Sequence, residues 1–409
     1  MTRRAAGIAT LLLLAAAWAG AAYFLWQSKV PSSLQLPHVD TAKTYPASVL
    51  ANVESFDHGE SLLFLGGIAV ELVVFALYAW RGAGFARESS AGPVGTGLLL
   101  GMLGFALLWL AEVPFAVLEV WWERRHGVSH TSYLDATLGG WLQLGAKFLL
   151  LCVALAIVMG FARLVGNWWW IPAAPVFVGL LFVRAFITPY LVVTHPLRDP
   201  VLLRTIAELE RTEHVGHVPA EVENVSTLTS LPNAEAAGIG PSRRIILWDT
   251  LLDGRFSPGQ VRVVIAHEFG HVQRNHVLKE VGWYALFTIP EALLIAVVVR
   301  RRGGMAEPAA VPLAVFVFVV FGLLALPLQQ AVSRHMEAEA DWIALQTTHD
   351  PSDMQSLFEA FVPIALDDPN PPTWEYLLEA NHPTINQRVA MARAWKARYA
   401  TSTAAAHIP

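Results

Sequence analysis

The fold class predicted by this sequence is a mainly α-helical, polytopic membrane protein. About seven transmembrane helices accompany a small extramembrane domain with a few short strands. Three observations predict it. Hydrophobic residues make up 55% of the 409 residues and charged residues only 15%, against about 25% in a typical soluble domain. The mean hydropathy is +0.46. Charge is also unevenly spread, at 23% of residues 194–280 and 19% of residues 331–409 but 11% of the rest. A single soluble globule does not partition its charge in this way. The net charge of −5 supplies no basic field, which argues against a nucleic-acid partner. Cys152 is the only cysteine, so disulfides, Cys-ligated zinc and iron–sulfur clusters are excluded within one chain.

A bilayer span needs about 20 mainly apolar residues. Seven stretches qualify, near residues 5–26, 61–80, 97–120, 145–165, 170–193, 283–299 and 311–328. Pro114 in the third and Pro172, Pro175 and Pro189 in the fifth are tolerable where neighbours re-satisfy the freed carbonyls. Trp121, Trp122, Trp168, Trp169 and Trp170 sit at span ends, as an interfacial belt requires. The first stretch also fits a signal peptide, with Arg3-Arg4 ahead of a small-residue run. Apolar residues continue through Phe24-Leu25-Trp26, which favours an uncut helix. Residues 31–57 read as a linker between the first two spans. Glu71, Glu112, Glu119 and Arg184 fall in or at the ends of spans, where ionisable groups form buried pairs or face a polar cavity. The glycine-rich stretch 92–104 fits close helix packing. The chain therefore divides into membrane helices one to five (1–193), an extramembrane insert (194–282), helices six and seven (283–330) and a C-terminal extramembrane part (331–409).

Within the insert, residues 197–213 read as an amphipathic helix. Residues 222–229 and Arg244–Trp248 read as strands, with a turn-rich segment at 231–241 between them. Ser257-Pro258-Gly-Gln260 then starts a helix, since Ser257 can cap, Pro258 suits the first position and Gln260 can close a capping box. That helix contains His267-Glu268-Phe-Gly-His271. Two histidines four apart share one helical face and can bind one ion. Glu268 then stands beside the metal, placed to take a proton from bound water. Such a site needs a third protein ligand and an open fourth position. His276 is nearby in sequence, but a continuous helix would turn it away from His267 and His271. Glu337, from Arg334-His-Met-Glu337-Ala-Glu339-Ala-Asp341, can complete a gluzincin-like His₂Glu set holding one Zn²⁺ per chain. Asp341, on the same face, can orient a ligand imidazole. His335 and Glu339 point elsewhere on that helix and read as surface.

In this order, the motifs resemble those of the integral-membrane zinc CAAX prenyl proteases, of which the bacterial heat-shock protease HtpX is a smaller relative. Residues 119–127 (Glu-Val-Trp-Trp-Glu-Arg-Arg-His-Gly) are similar to the family's Glu/Arg-rich loop after the third span. Asn233-Ala234 and residues 243–252 are similar to the segment before its zinc helix, and His382-Pro383 with Arg388 to its C-terminal motif. The resemblance implies a zinc endopeptidase in which Glu268 is the general base, His382 an oxyanion donor and Arg388 a supporting residue. It implies that Asn233 holds the substrate backbone, and that seven helices enclose a water-filled chamber.

Expected partners are the lipid bilayer and a peptide or protein substrate, either a prenylated CAAX C-terminus or a membrane-associated or misfolded protein. The expected location is a bacterial inner membrane, or an endoplasmic-reticulum-type membrane if the source is eukaryotic. Lys and Arg in short loops favour an N-terminus inside and the zinc domain outside, whereas eukaryotic prenyl proteases face the zinc end to the cytosol. A transporter or receptor with a structural or accidental zinc motif is the competing reading, and it gives Glu268 no purpose.

Overall fold

With no water available in a bilayer, a spanning backbone must satisfy its own hydrogen bonds, so each long apolar run folds as a helix. In the computed structural model, which describes residues 3–88 and 91–405, six helices precede the sheet. They are α1 (Arg3–Leu25), α2 (Thr41–Thr44), α3 (Ala47–Arg81), α4 (Gly92–Arg125), α5 (Tyr133–Val165) and α6 (Trp170–Leu191). Next come β1 (Thr194–Pro196), α7 (Pro200–Glu213), β2 (Ala220–Glu223), β3 (Ala234–Ala237), β4 (Arg244–Trp248) and α8 (Pro258–Arg274). The chain closes with α9 (His276–Val298), α10 (Val311–Thr348), α11 (Pro351–Ala365), α12 (Thr373–Leu378) and α13 (Ile385–Ala405).

Among the described residues, α3, α4, α5, α6, α9 and α10 are long and apolar enough to cross a membrane, and α1 adds a shorter apolar stretch at Leu12–Leu25. Six spans plus α1 agree with the expected seven. The side chains of Arg3 and Arg4, which the charge bias uses, lie outside the described residues. The expected linker at 31–57 is instead largely helical. Asp40 caps α2 through the Lys43 N–H, and α3 begins at Ala47, well before its apolar run. Likewise, most of the segment expected as a loop after span three forms the last two turns of α4, which ends at Arg125, and the chain turns at Gly127 with φ +76°. Along α4, Cβ atoms added at Gly97, Gly101 and Gly104 would stand 2.2–2.6 Å from side-chain atoms of Met159, Leu155 and Tyr78, which would have to shift. The glycine stripe thus serves packing inside the bundle.

The sheet order is β1-β2-β4-β3. β2 runs parallel to β4, and β1 and β3 run antiparallel to their neighbours. β3 occupies part of the segment expected to be turn-rich. Its Ala-Glu-Ala-Ala sequence has little strand preference, and pairing from Ala234↔Leu247 to Ala237↔Arg244 supplies the missing stability.

Among the described residues, two large apolar cores result, with a small third cluster around Trp283, Leu286, Val332 and Met336. One joins α3, α4, α5, α6, α9 and the first half of α10 around Phe75, Met159, Ala173 and Val311. The other packs the sheet, α7, α8, α11, α13 and the second half of α10 around Ile245, Ile265, Phe269 and Trp342. Val39, Tyr45, Val53 and Val128 are buried in this second core, so the first 193 residues contribute to it as well as to the bundle. α10 belongs to both cores and runs unbroken through residue 330.

Candidate metal centre

The centre is built where α8 crosses α10. The α8 N-terminus is fixed by the reciprocal Ser257–Gln260 capping box, with Gln260 N–H donating to Ser257 Oγ at 3.1 Å and Ser257 N–H to Gln260 Oε1 at 2.8 Å. On the buried side, Gly270 meets the backbone of Ala340, and an added Cβ would stand 3.1 Å from the Ala340 Cα. A glycine here lets two backbones approach closely enough for side chains four residues apart on each helix to converge.

Three donor atoms converge. His267 Nε2 lies 3.0 Å from Glu337 Oε2 and 3.0 Å from His271 Nε2, and His271 Nε2 lies 3.4 Å from Glu337 Oε1. Tetrahedral coordination with bonds of about 2.0–2.1 Å separates neighbouring ligand atoms by about 3.3 Å, so these residues fit one shared ion. The proton count supports the fit. Asp341 Oδ1 accepts from His267 Nδ1 at 2.8 Å, which leaves the His267 Nε2 lone pair facing the other donors. Arg388 grips the fully buried Asp341 with Nε at 2.8 Å and Nη2 at 2.6 Å.

A cavity of about 300 Å³ opens over these groups and is lined by Asn233, Ala234, Glu235, Glu268, Glu280 and His382 among others. Glu268 is buried, and burial pushes its carboxyl up from the ordinary range, a shift that suits a group meant to take and return a proton. His382 is half-exposed, with Nε2 at 3.1 Å from Glu337 Oε2 and Nδ1 at 2.7 Å from Asn381 Oδ1. Asn233 precedes β3, and its carbonyl accepts the Trp248 N–H at 3.0 Å. All eight residues singled out from the sequence therefore line this one cavity or contact a residue that does. Arg388 directs its guanidinium to Asp341 and stacks it over the Phe358 ring at 3.8 Å.

Three expectations need correction. His276 is not turned away from the centre, because Asn275 breaks the helix with φ +53°. The chain re-enters α9 in a new direction, and His276 Nδ1 comes within 2.9 Å of His271 Nδ1. Glu339 is not on the surface but fully buried and paired with Arg274, His276 and Lys279. His335 is partly covered, stacked on Trp26 at 4.0 Å and bonded to its carbonyl at 2.7 Å. Glu235 and Glu280 were missed as cavity residues, since a single carboxylate in a strand or helix carries no spacing signal.

Comparison with known proteins finds similarity in family and fold. Residues 196–396 match the model of peptidase family M48, a metalloprotease family. The uncharacterized metalloprotease YhfN of Bacillus subtilis is 23% identical over 394 residues, 90% of this chain and 92% of that protein. CAAX prenyl protease 1 of Saccharomyces cerevisiae is 26% identical over 244 residues, 51% of each. A protease HtpX homolog of Ralstonia pickettii is 27% identical over 178 residues, 39% of this chain and 62% of that one. The crystal structure of S. mikatae Ste24p has the same fold, with a TM-score of 0.74 over 92% of this chain and 96% of that chain at 17% identity.

Proposed function

From the premise that this chain is a membrane metalloprotease belonging to peptidase family M48, we propose that His267, His271 and Glu337 hold one Zn²⁺ and that Glu268 carries the proton in peptide-bond hydrolysis. The observation that carries this reading is the convergence of the three donor atoms, all within 4.8 Å of one another, beside Glu268 in one cavity. Zinc, when bound, polarises the scissile carbonyl and makes the attacking water more acidic. Glu268 takes the proton that this water loses as its oxygen bonds to the carbonyl carbon. It then passes the proton to the departing amide nitrogen as the C–N bond breaks. His382 donates a hydrogen bond to the oxyanion that develops on the substrate. Asp341, steadied by Arg388, keeps the His267 proton on Nδ1.

The substrate enters as an extended strand. β3 is an edge strand with its other side paired to β4, and Asn233, at its start, holds the substrate backbone. The 1–193 and 283–330 segments supply the membrane setting of a bacterial inner membrane or an endoplasmic-reticulum-type membrane, and 194–282 with 331–409 supply most of the peptidase, its core completed by Val39, Tyr45, Val53 and Val128. Substrates are either prenylated CAAX C-termini or membrane-associated or misfolded proteins. To test this, purified protein in detergent is given a farnesylated CAAX peptide and its unprenylated twin, with products read by mass spectrometry. Cleavage that stops on chelation and returns with zinc supports the protease reading. A preference for the farnesylated peptide assigns prenyl-protein processing, and equal cleavage assigns broader proteolysis. Zinc-replete protein that cuts neither peptide contradicts the substrate class.

A further inference from the structure

A carboxylate, Asp341, meets His267 at Nδ1, but among the described residues none meets His271 there. Its Nδ1 instead meets His276 Nδ1 at 2.9 Å, and His276 Nε2 lies 3.1 Å from Glu339 Oε2. His276 is 1% exposed and Glu339 0%, so water does not compete for these atoms. The Glu339 carboxylate is also the meeting point of three further donors. Arg274 Nε and the Lys29 N–H approach Oε1, each at 2.7 Å, and Lys279 Nζ approaches Oε2 at 2.9 Å. These donors come from the end of α8, the start of α9 and the turn after α1, and Glu339 itself belongs to α10.

The protons can be assigned. A carboxylate only accepts, so the nitrogen facing Glu339 must carry the His276 proton. The neutral ring then has a lone pair on Nδ1. Two Nδ1 atoms 2.9 Å apart need one proton between them, and it must belong to His271. His271 therefore has a bare Nε2, the atom that faces His267 and Glu337. Arg274 and Lys279 already balance the Glu339 charge, so His276 need carry none.

We propose that Glu339 and His276 are positioning residues that act through His271, a buried carboxylate–histidine relay that fixes the His271 tautomer and ring orientation for the metal. This rests on the reading of His267, His271 and Glu337 as the zinc ligands. The two imidazoles at the centre are thus held by different devices, one directly by Asp341 and one through an intervening histidine. The relay also ties the turn after α1 to the centre, because the Lys29 amide and the Gln27 carbonyl bind Glu339 and Lys279 respectively.

The test uses the full chain in detergent, with zinc affinity measured by competition against a chromogenic chelator. Melting of the metal-free protein and the visible spectrum of the Co²⁺ form are recorded beside it. Loss of a partner behind a metal-binding histidine typically weakens metal binding about 10–100-fold, and His276→Phe is expected to do so. His276→Gln, whose side-chain carbonyl can accept the His271 Nδ1–H, is expected to recover most of that loss. Glu339→Gln, close to isosteric, is expected to weaken zinc by about tenfold and to shift the Co²⁺ spectrum, and it decides the matter if His276→Phe does not fold. Wild-type zinc affinity in both Glu339→Gln and His276→Phe overturns the relay, and so does His276→Gln as weak as His276→Phe. Wild-type protein that binds no zinc overturns the ligand assignment itself.

Discussion

Two carboxylate-rich regions of this molecule are built on opposite principles. Behind the two imidazoles of the metal centre, the buried carboxylates are matched: Asp341 by Arg388 and His267, Glu339 by Arg274, Lys279 and His276. Where α3, α4 and α12 meet, Glu60, Glu119 and Glu123 bring one oxygen each within 4.8 Å of one another. Asp57, Glu375 and Glu379 interact close by. Among the described residues, none of these six forms an ion pair. Burial and Asp57 push Glu375 up to about 8 and Glu379 up to about 7. Matched carboxylates hold side chains in one geometry, as a metal centre requires. Unmatched ones keep protons and weaken the fold as pH rises.

Breaking a match gives the largest expected effect. Asp341→Asn leaves Arg388 buried without its counter-charge, a loss of about 3–5 kcal/mol. It also presents His267 with a side chain that can adopt the wrong hydrogen bond, weakening zinc by about 10–100-fold. Thermal unfolding and chelator competition measure the two effects separately. Normal values in both would erase the contrast between the regions.

Relieving a mismatch comes next. Glu213, 2% exposed at the end of α7, is pushed by burial up to about 8 from 4.5, against the opposite pull of Thr347 and His267. The folded protein keeps this proton between those two values while the unfolded chain releases it. Stability contributed by the group is therefore complete below about pH 4.5 and falls as pH rises to about 8. At about 1.4 kcal/mol per pH unit, the loss is at most about 5 kcal/mol. Glu213→Gln should flatten the stability profile across that window and raise the melting temperature at pH 8.5. An unchanged slope would show that Glu213 is ionised in the fold.

The smallest effect is expected at Glu375, whose oxygen accepts from Ser61 Oγ at 3.2 Å. Its folded value is likewise raised, so Glu375→Gln should raise the melting temperature above pH 8 and leave it nearly unchanged at pH 4. A melting temperature lowered at pH 8.5 would mean that this carboxylate has a cationic partner after all.

Much of this arrangement was legible in the sequence. Hydropathy located the long apolar helices, and i, i+4 spacing placed His267 with His271 and Glu337 with Asp341. Both signals survive because α8 and α10 are regular helices along those stretches. The relay was hidden by the same logic. Spacing assumes a continuous helix, and the left-handed Asn275 returns His276 to the side of His271 that helical periodicity denies it. β3 was hidden because its stability comes from β4 and not from its own alanines. The unmatched cluster was hidden because residues 57–60, 119–123 and 375–379 meet only in the tertiary fold.

The central claim is that one cavity joins a metal held by His267, His271 and Glu337 to a proton carrier at Glu268. Its most direct test is Glu268→Gln beside wild type, with bound zinc and peptide cleavage measured on the same samples. The account predicts equal zinc content and a loss of cleavage of about 10²–10⁴-fold. Cleavage at the wild-type rate by the zinc-loaded variant would contradict it, as would wild-type protein that cleaves without bound metal.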